Sequence, residues 1–253
     1  MEIITLTKEN LEREHICCAI ANNKDCQVLS KKSWLADRLD EGLVFKKGNV
    51  RGKCFIEYIP AENAWVPVEA EGYMYIDCLW VSGKYKGQGY SNMLLDECIR
   101  DSMEKGRRGL VTLSSDKKRG FLADPGYLAY KGFRTADTAE PYFKLMYLPF
   151  DENDGTDEHI PRFRQQAKEP RVENGGFTLY YTAQCPFTAK YVPVLEQTAA
   201  ERGLPLKTIK LESREAARNA PTPFTTYSLF YNGAFLTNEI LSVKKFEKIV
   251  SAL

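Results

Sequence analysis

The residues best suited to chemistry lie in one stretch, residues 77–91, where an apolar run gives way to a glycine-rich turn. Glycines at positions 87 and 89 can turn backbone N–H groups toward one point, because no Cβ stands in the way. A helix that followed would add its positive N-terminal dipole, and Lys84 and Lys86 would add charge. The turn is a candidate anion cradle, although a Gly-x-Gly pattern taken alone is more often an ordinary tight turn.

The sequence predicts the two elements that such a turn needs. Residues 74–82 are rich in β-branched, aromatic and aliphatic side chains, as strands are, and in residues 90–105 apolar side chains recur at helical spacing. Similar patterns predict further elements in the first half: helices after Thr7, at 34–39 and at 125–130, and strands at 43–47, 53–58, 109–115, 133–135 and 142–148.

The strand and turn together resemble the acyl-CoA-binding signature of the GNAT N-acetyltransferase superfamily, in which a Leu-x-Val strand precedes Gln/Arg-x-x-Gly-x-Gly/Ala. Lys84 stands where that pattern has Gln or Arg. A late Tyr-x-x-x-Gly-Phe element of the superfamily is matched at Gly132 and Phe133, with Leu128 at the tyrosine position and a tyrosine on either side. The resemblance covers residues 1–149, which we take as one domain.

The resemblance implies an α/β fold, a mixed sheet flanked by helices, that splays between the strand ending at Val81 and the strand at 109–115. It also implies acetyl-CoA as co-substrate, with strand backbone pairing to the pantetheine and the turn holding the pyrophosphate. The basic run at 117–119 would then approach the adenosine 3′-phosphate, unless it is a solvated loop. The implied binding residues are Leu79, Trp80, Val81, Lys84, Tyr85, Lys86, Gly87, Gln88, Gly89, Tyr90 and Ser91.

The reaction that the resemblance implies is direct transfer of an acetyl group to an amine, which needs a base for the ammonium proton and an acid for the departing thiolate. Asp77 and Glu57 are the candidate bases, and Tyr127 and Tyr130 are the candidate acids. Each has an ordinary alternative: a structural or solvated carboxylate, or a core tyrosine. Cys78, with no histidine beside it, is expected to be a packing residue.

The second half is set off by an acidic stretch, DENDGTDE at residues 151–158, followed by prolines and an Asn-Gly-Gly cluster. We therefore predict a linker at 150–175 and a second domain at 176–253. The expected elements are strands at 177–181, 206–211, 225–231 and 235–240, and helices at 186–202, at 213–219 and after Ser242.

This β-α-β-α-β-β-α order resembles thioredoxin and glutaredoxin. Cys185 opens the first helix where that superfamily has its Cys-x-x-Cys, but the second cysteine is Thr188. A helix start favours a thiolate, so Cys185 is a possible reactive thiol that lacks a resolving partner. Pro223 is near the superfamily's cis-proline position, and residues 219–233 resemble the YoaP-like domain that accompanies some bacterial GNAT proteins.

Composition narrows the partners and the location. With 35 basic and 34 acidic side chains, a net charge of +1 gives no general attraction for nucleic acid or acidic lipid. No apolar run is long enough for a membrane span and the start is unlike a signal peptide, so we expect a cytoplasmic protein. Seven cysteines without a CxxC motif and only two histidines predict no disulfide framework and no metal site.

Three hypotheses follow. The favoured one is an acyl-CoA-dependent N-acetyltransferase acting on a small-molecule or peptide amine, with the second domain shaping substrate access or a homodimer. The second is a monothiol redox or thiol-handling protein centred on Cys185 that senses acyl-CoA through its first domain. The third is a non-catalytic acyl-CoA-binding protein.

Overall fold

The computed structural model of the protein describes residues 1–16, 18, 22–151 and 159–253. In the N-terminal region, residues 1–149, the strands are β1 (Ile3–Thr5), β2 (Val44–Gly48), β3 (Cys54–Pro60), β4 (Val68–Glu69), β5 (Met74–Val81), β6 (Gly109–Ser115), β7 (Arg134–Ala139) and β8 (Phe143–Pro149). All but β4 form one sheet in the order β1-β2-β3-β5-β6-β8-β7. Neighbours are antiparallel except β5 and β6, which run parallel, so the sheet is mixed.

Three helices flank this sheet: α1 (Cys26–Leu39), α2 (Tyr90–Glu104) and α3 (Pro125–Tyr130). Asp25 caps α1 by accepting a hydrogen bond from the backbone N–H of Gln27, and Asp124 caps α3, whose first residue is a proline. Helix α2 starts after a glycine in the left-handed region, so its first N–H groups have no side-chain cap.

The two faces of the sheet have different covers. On one face, Leu94, Leu95 and Cys98 of α2 pack against side chains such as Ile56 and Ile76. On the other face, α1 and part of the C-terminal region pack in a second core with the alternate side chains of β3 and β5. The sheet therefore presents one face to α2 and α3 and the other to α1 and the C-terminal region.

A short strand β9 (Arg162–Phe163), antiparallel to β4, and a one-turn helix α4 (Gln165–Lys168) precede the C-terminal region. That region, residues 176–253, has a four-stranded sheet in the order β11-β10-β12-β13. β10 is parallel to β11 and antiparallel to β12. Its elements are β10 (Phe177–Tyr181), α5 (Pro186–Glu201), β11 (Leu206–Lys210), α6 (Arg214–Arg218), β12 (Tyr227–Tyr231), β13 (Ala234–Thr237) and α7 (Val243–Val250).

The two regions share buried contacts. Leu211, Ala217 and Ala220 belong to the same core as α1 residues of the N-terminal region. The Thr225 hydroxyl donates to the Trp65 carbonyl oxygen at 2.6 Å, and the Tyr142 hydroxyl donates to Asn238 Oδ1 at 2.8 Å. The C-terminal region is therefore fixed against the sheet at more than one place.

Some expectations need correction. The segment after Thr7 forms hydrogen-bonded turns rather than a helix, and the helix predicted at 34–39 begins earlier, at Cys26. The bond before Pro223, whose geometry the sequence left open, is trans, and the cis peptide among the described residues is Glu140–Pro141. The described part of the predicted linker contains β9 and α4, whereas most of its acidic stretch lies outside the described residues. The division into two domains stays a prediction.

Candidate functional site

The sheet opens between β5 and β6. Among the described residues, β5 pairs with β6 only from Met74 to Ile76, although β5 continues to Val81 and β6 to Ser115. Beyond Ile76, β5 keeps its pairing with β3 on the other side. Within the part of the chain that the structure describes, the backbone groups of residues 77–81 that point toward β6 therefore have no strand partner. They form an edge to which an extended ligand can hydrogen-bond.

Asp77 lies at the start of this open edge and is the extra residue of a β-bulge. Cys78 is opposite Glu57 and Ile76 is opposite Tyr58, so Asp77 has no counterpart on β3. A bulge redirects the side chain of its extra residue and changes the local twist. The bulge and the divergence of β5 from β6 thus occur at the same residue.

Lys31, a buried residue of α1, lies near the carboxylates of Glu57 and Asp77. Lys31 Nζ lies 2.7 and 2.6 Å from the two carboxylate oxygens of Glu57, and both residues are only 1% exposed. The third hydrogen bond of Lys31 Nζ goes to the Gln184 carbonyl oxygen, at 2.8 Å, in the C-terminal region. The lysine thereby joins α1, β3 and the segment before α5.

The pKa of the Asp77 carboxyl is affected by the same two residues, Lys31 and Glu57. Burial raises the pKa of Asp77 well above its ordinary value, the negative charge of Glu57 raises it further, and Lys31 opposes both. Burial opposes the charged form of Lys31, but Glu57 and other nearby acidic groups raise the pKa of Lys31 above its usual value. Lys31 therefore stays charged, and burial together with Glu57 favours the protonated form of Asp77.

The glycine-rich turn follows the open edge as the sequence predicts. Gly87 and Gly89 have φ angles of +79° and +78°, and a Cβ built on either would meet no atom within 4 Å. The space in front of the turn is therefore open, and backbone conformation rather than crowding requires glycine. Lys84 and Lys86 are exposed beside it, and Tyr90 and Ser91 begin α2, whose first-turn N–H groups are available. This geometry suits an anion.

The two tyrosines proposed as acids differ in their surroundings. Tyr127 packs beside the core under α2, and its hydroxyl donates to Asn92 Oδ1 at 3.2 Å. Burial raises the pKa of Tyr127 to about 12, with a smaller effect from Asp96. Tyr130, one turn later on α3, is 81% exposed. Leu128 between them is buried in the core, so the structure separates the two candidates.

Cys185 lies at the start of α5 but is not favoured as a thiolate. Burial raises the pKa of Cys185 to about 11, which outweighs the backbone N–H of Phe187 and the charges of Lys31 and Lys53. Burial thus opposes the lowering that the helix start would give, and the reactivity of Cys185 stays a prediction. At the position of the missing second cysteine, Thr188 is buried, and its hydroxyl is 2.8 Å from the Cys185 carbonyl oxygen.

Other candidate features stay outside this site. Lys118 and Arg119 of the basic run pair with Asp124 and Asp116. A cavity of about 570 Å³ lies between β4 and α6, where Arg218 donates to the carbonyl oxygens of Glu62 and Val68. In the part of the chain that the structure describes, no group of three or more potential metal ligands occurs and no helix could cross a membrane.

Sequence reasoning missed Lys31 and Gln184. A signal for Lys31 was present, because it lies three residues after Val28 and four before Leu35, on the buried face of α1. The Gln184 contribution is a backbone carbonyl, which no side-chain pattern reveals. Three residues predicted from the sequence lie near Lys31 in the structure: Asp77, Glu57 and Cys185.

The splayed mixed sheet and the glycine turn define an α/β protein with an open strand edge beside a turn that suits an anion, and comparisons with known proteins identify the family. The model of the Acetyltransferase (GNAT) family matches residues 9–122, and a model described as YoaP-like matches residues 205–248. A Bacillus subtilis (strain 168) protein called uncharacterized N-acetyltransferase YoaP is 43% identical over 251 residues, covering 99% of this chain and 98% of that protein.

Two solved structures are also similar. The Escherichia coli GNAT family N-acetyltransferase YhbS, in complex with CoA, has 14% identity and a TM-score of 0.42, covering 65% of this chain and 89% of its own. Salmonella typhimurium YncA, with acetyl-CoA, has 14% identity and a TM-score of 0.42, covering 60% and 94%. The Bacillus subtilis relative decides the assignment: this chain belongs to the GNAT family of acetyltransferases and carries a YoaP-like C-terminal segment.

Proposed function

We propose that the protein transfers an acetyl group from acetyl-CoA to an amine by direct attack, without an acyl-enzyme. The observation that carries this proposal is the open edge at residues 77–81 followed by the glycine turn and α2. Leu79, Trp80 and Val81 would pair with the pantetheine amides, and the turn from Lys84 to Ser91 would hold the pyrophosphate. Acetyl-CoA supplies the activated thioester.

Asp77 is proposed as the base. It takes the proton that an ammonium must lose before its nitrogen attacks the thioester carbon, directly or through water. A carboxyl with a raised pKa retains that proton better than an ordinary one, which favours Asp77 for the task. Glu57 is the weaker candidate, because both of its carboxylate oxygens are hydrogen-bonded to Lys31.

Tyr127 is proposed as the acid. When the carbon–sulfur bond breaks, its hydroxyl gives a proton to the departing thiolate. Tyr127 is half-buried between α3 and α2, next to the helix that starts at the proposed pyrophosphate site, and its hydroxyl is oriented by Asn92. Tyr130 projects into solvent, so it is the weaker candidate.

We propose that the C-terminal region is a thioredoxin-like domain that forms a wall on the acceptor side. Its strand order and its parallel β10–β11 pair support this relationship. Lys53 links this wall to β5: its Nζ lies 4.2 Å from the ring centroid of Trp80 in β5 and 5.7 Å from that of Phe187 in α5. The redox hypothesis is weaker, since Thr188 replaces the resolving cysteine. A cytoplasmic location and a homodimer remain expectations from the sequence.

The test is a screen of primary amines with acetyl-CoA, in which released CoA is detected as free thiol and acetylated amine by mass spectrometry. The proposal expects turnover of at least one amine, and a large loss of kcat in Asp77→Asn with acetyl-CoA binding retained. Cys26→Ser, at an exposed position at the start of α1, is the control and should keep the wild-type rate. Acetyl-CoA binding without turnover of any amine would favour the non-catalytic hypothesis instead.

A further inference from the structure

Lys31 has more contacts than a simple ion pair requires. Its ammonium group has three donors, and all three acceptors are within 2.8 Å: both oxygens of Glu57 and the carbonyl of Gln184. At 1% exposure it has no access to solvent for compensation. A buried lysine is therefore saturated by one carboxylate of β3 and one backbone group of the C-terminal region.

The Gln184 segment is itself fixed. The Thr226 hydroxyl donates to Gln184 Oε1 at 3.2 Å, and the backbone N–H of Gln184 points to the Thr182 hydroxyl at 3.4 Å. The Thr188 hydroxyl is 2.9 Å from the Thr182 carbonyl oxygen. The segment is thus a preformed acceptor for Lys31, and the contact adds to the others that hold the C-terminal region against the sheet.

The charges around Asp77 come from several elements. Lys31 of α1 lowers its pKa and Glu57 of β3 raises it, while Tyr75 and Cys78 are its neighbours on β5. Cys185, before α5, faces the same Lys31 and Glu57, as does Cys18. Burial raises the pKa of each of these thiols and of Tyr75, so they are neutral near pH 7. The charged groups that shift the pKa of Asp77 are therefore Lys31 and Glu57.

We propose that Lys31 is a positioning residue for acyl transfer, which docks the segment before α5 against the acceptor side and holds the Glu57 carboxylate in place beside Asp77. Asp77 then remains the carboxyl that exchanges a proton with the amine. This inference depends on the proposed function for its catalytic part, but its electrostatic part can be measured without any acceptor. The C-terminal region contributes to the site through the Gln184 carbonyl.

The experiment is a carbon-13 NMR titration of the Asp77 carboxyl in the full chain with labelled aspartate, assigned with Asp77→Asn. Glu57→Gln keeps an oxygen for Lys31 but removes the negative charge, so the Asp77 pKa should fall by about one unit or more. Lys31→Met removes the positive charge, so the pKa should rise by a similar amount. Glu97→Gln is the matched control: Glu97 pairs with Lys46 at 3.0 Å elsewhere, and its loss should leave the titration unchanged.

The outcomes separate this inference from the proposed function. If either Lys31→Met or Glu57→Gln folds and leaves the Asp77 titration unchanged, the proposal is wrong. Once an acceptor is known, the acid limb of kcat/KM should move in the same direction as the NMR value. A change in the Asp77 pKa measured by NMR, without a matching change in the acid limb of kcat/KM, would overturn the role of Lys31 in acyl transfer. Failure to turn over any amine, with the NMR shifts present, would count against the proposed function alone.

Discussion

Replacement of Gly89 by valine gives the sharpest test of acetyl-CoA binding at the turn. Gly89 has φ +78° and immediately precedes α2, so a β-branched residue there is strained by roughly 1–2 kcal/mol. The added Cβ meets no atom within 4 Å, so the strain is a backbone cost and not a clash. In a chain of 253 residues that cost lowers Tm by a few degrees, and the fold should survive.

The effect on the ligand should be larger than the effect on the fold. Two methyl groups would occupy the open space in front of the turn, where the proposed pyrophosphate meets the N–H groups of α2. Loss of one charge-assisted hydrogen bond costs about 1.5–3 kcal/mol. Because 1.4 kcal/mol is a tenfold change, the Kd for acetyl-CoA should rise about 10- to 150-fold.

Isothermal titration calorimetry with acetyl-CoA measures this change, and Gly106→Val is the matched control. Gly106 follows the other end of α2, has φ +66°, and likewise has no atom within 4 Å of an added Cβ. It should lose a similar few degrees of Tm but keep the wild-type Kd. Equal Kd values for Gly89→Val and the wild type, or equal losses in both variants, would refute the assignment of the turn.

Three further predictions concern other parts of the chain. Tyr127→Phe should lower kcat with little change in the Kd for acetyl-CoA, whereas Tyr130→Phe should keep the wild-type rate; equal effects would reject Tyr127 as the acid. Near pH 7, iodoacetamide should label Cys185 more slowly than exposed Cys26, and its labelling rate should rise toward pH 11, as peptide mass spectrometry can show. Limited proteolysis should cut the acidic sequence 152–158, and the fragments should co-elute in gel filtration because the two regions share buried contacts; separate elution would contradict this.

The sequence predicted the regular elements that position the site because their signals are local. Apolar periodicity and glycine placement located α2 and β6 within one residue of their observed ends. The helix predicted after Thr7 was wrong. Leu11 is buried there, as it would be on the inner face of a helix, but the chain forms only hydrogen-bonded turns. Periodicity reports which side chains are buried, and a turn can bury them as well as a helix can.

Local sequence patterns could not predict the arrangement around Asp77. The bulge at Asp77 is a property of two strands in register, and neither strand alone encodes it in a readable form. The contact between Lys31 and Gln184 joins positions 153 residues apart. The candidate carboxylates could be named from their places on predicted strands, but which of them forms an ion pair depends on a lysine from α1.

Thr188, near the start of α5, bears on two roles considered for this segment: redox chemistry and a wall on the acceptor side. In the thioredoxin-like fold that we propose for the C-terminal region, the position of Thr188 would hold a second thiol for disulfide exchange. Here the Thr188 side chain is 1% exposed, and its hydroxyl lies within hydrogen-bond distance of the carbonyl oxygens of Thr182 and Cys185. Those bonds stabilise the segment whose Gln184 carbonyl receives Lys31. A threonine at this position therefore cannot serve Cys185 as a resolving thiol, and it holds the segment that we propose as a wall on the acceptor side, which favours the acyl-transfer proposal over a redox centre.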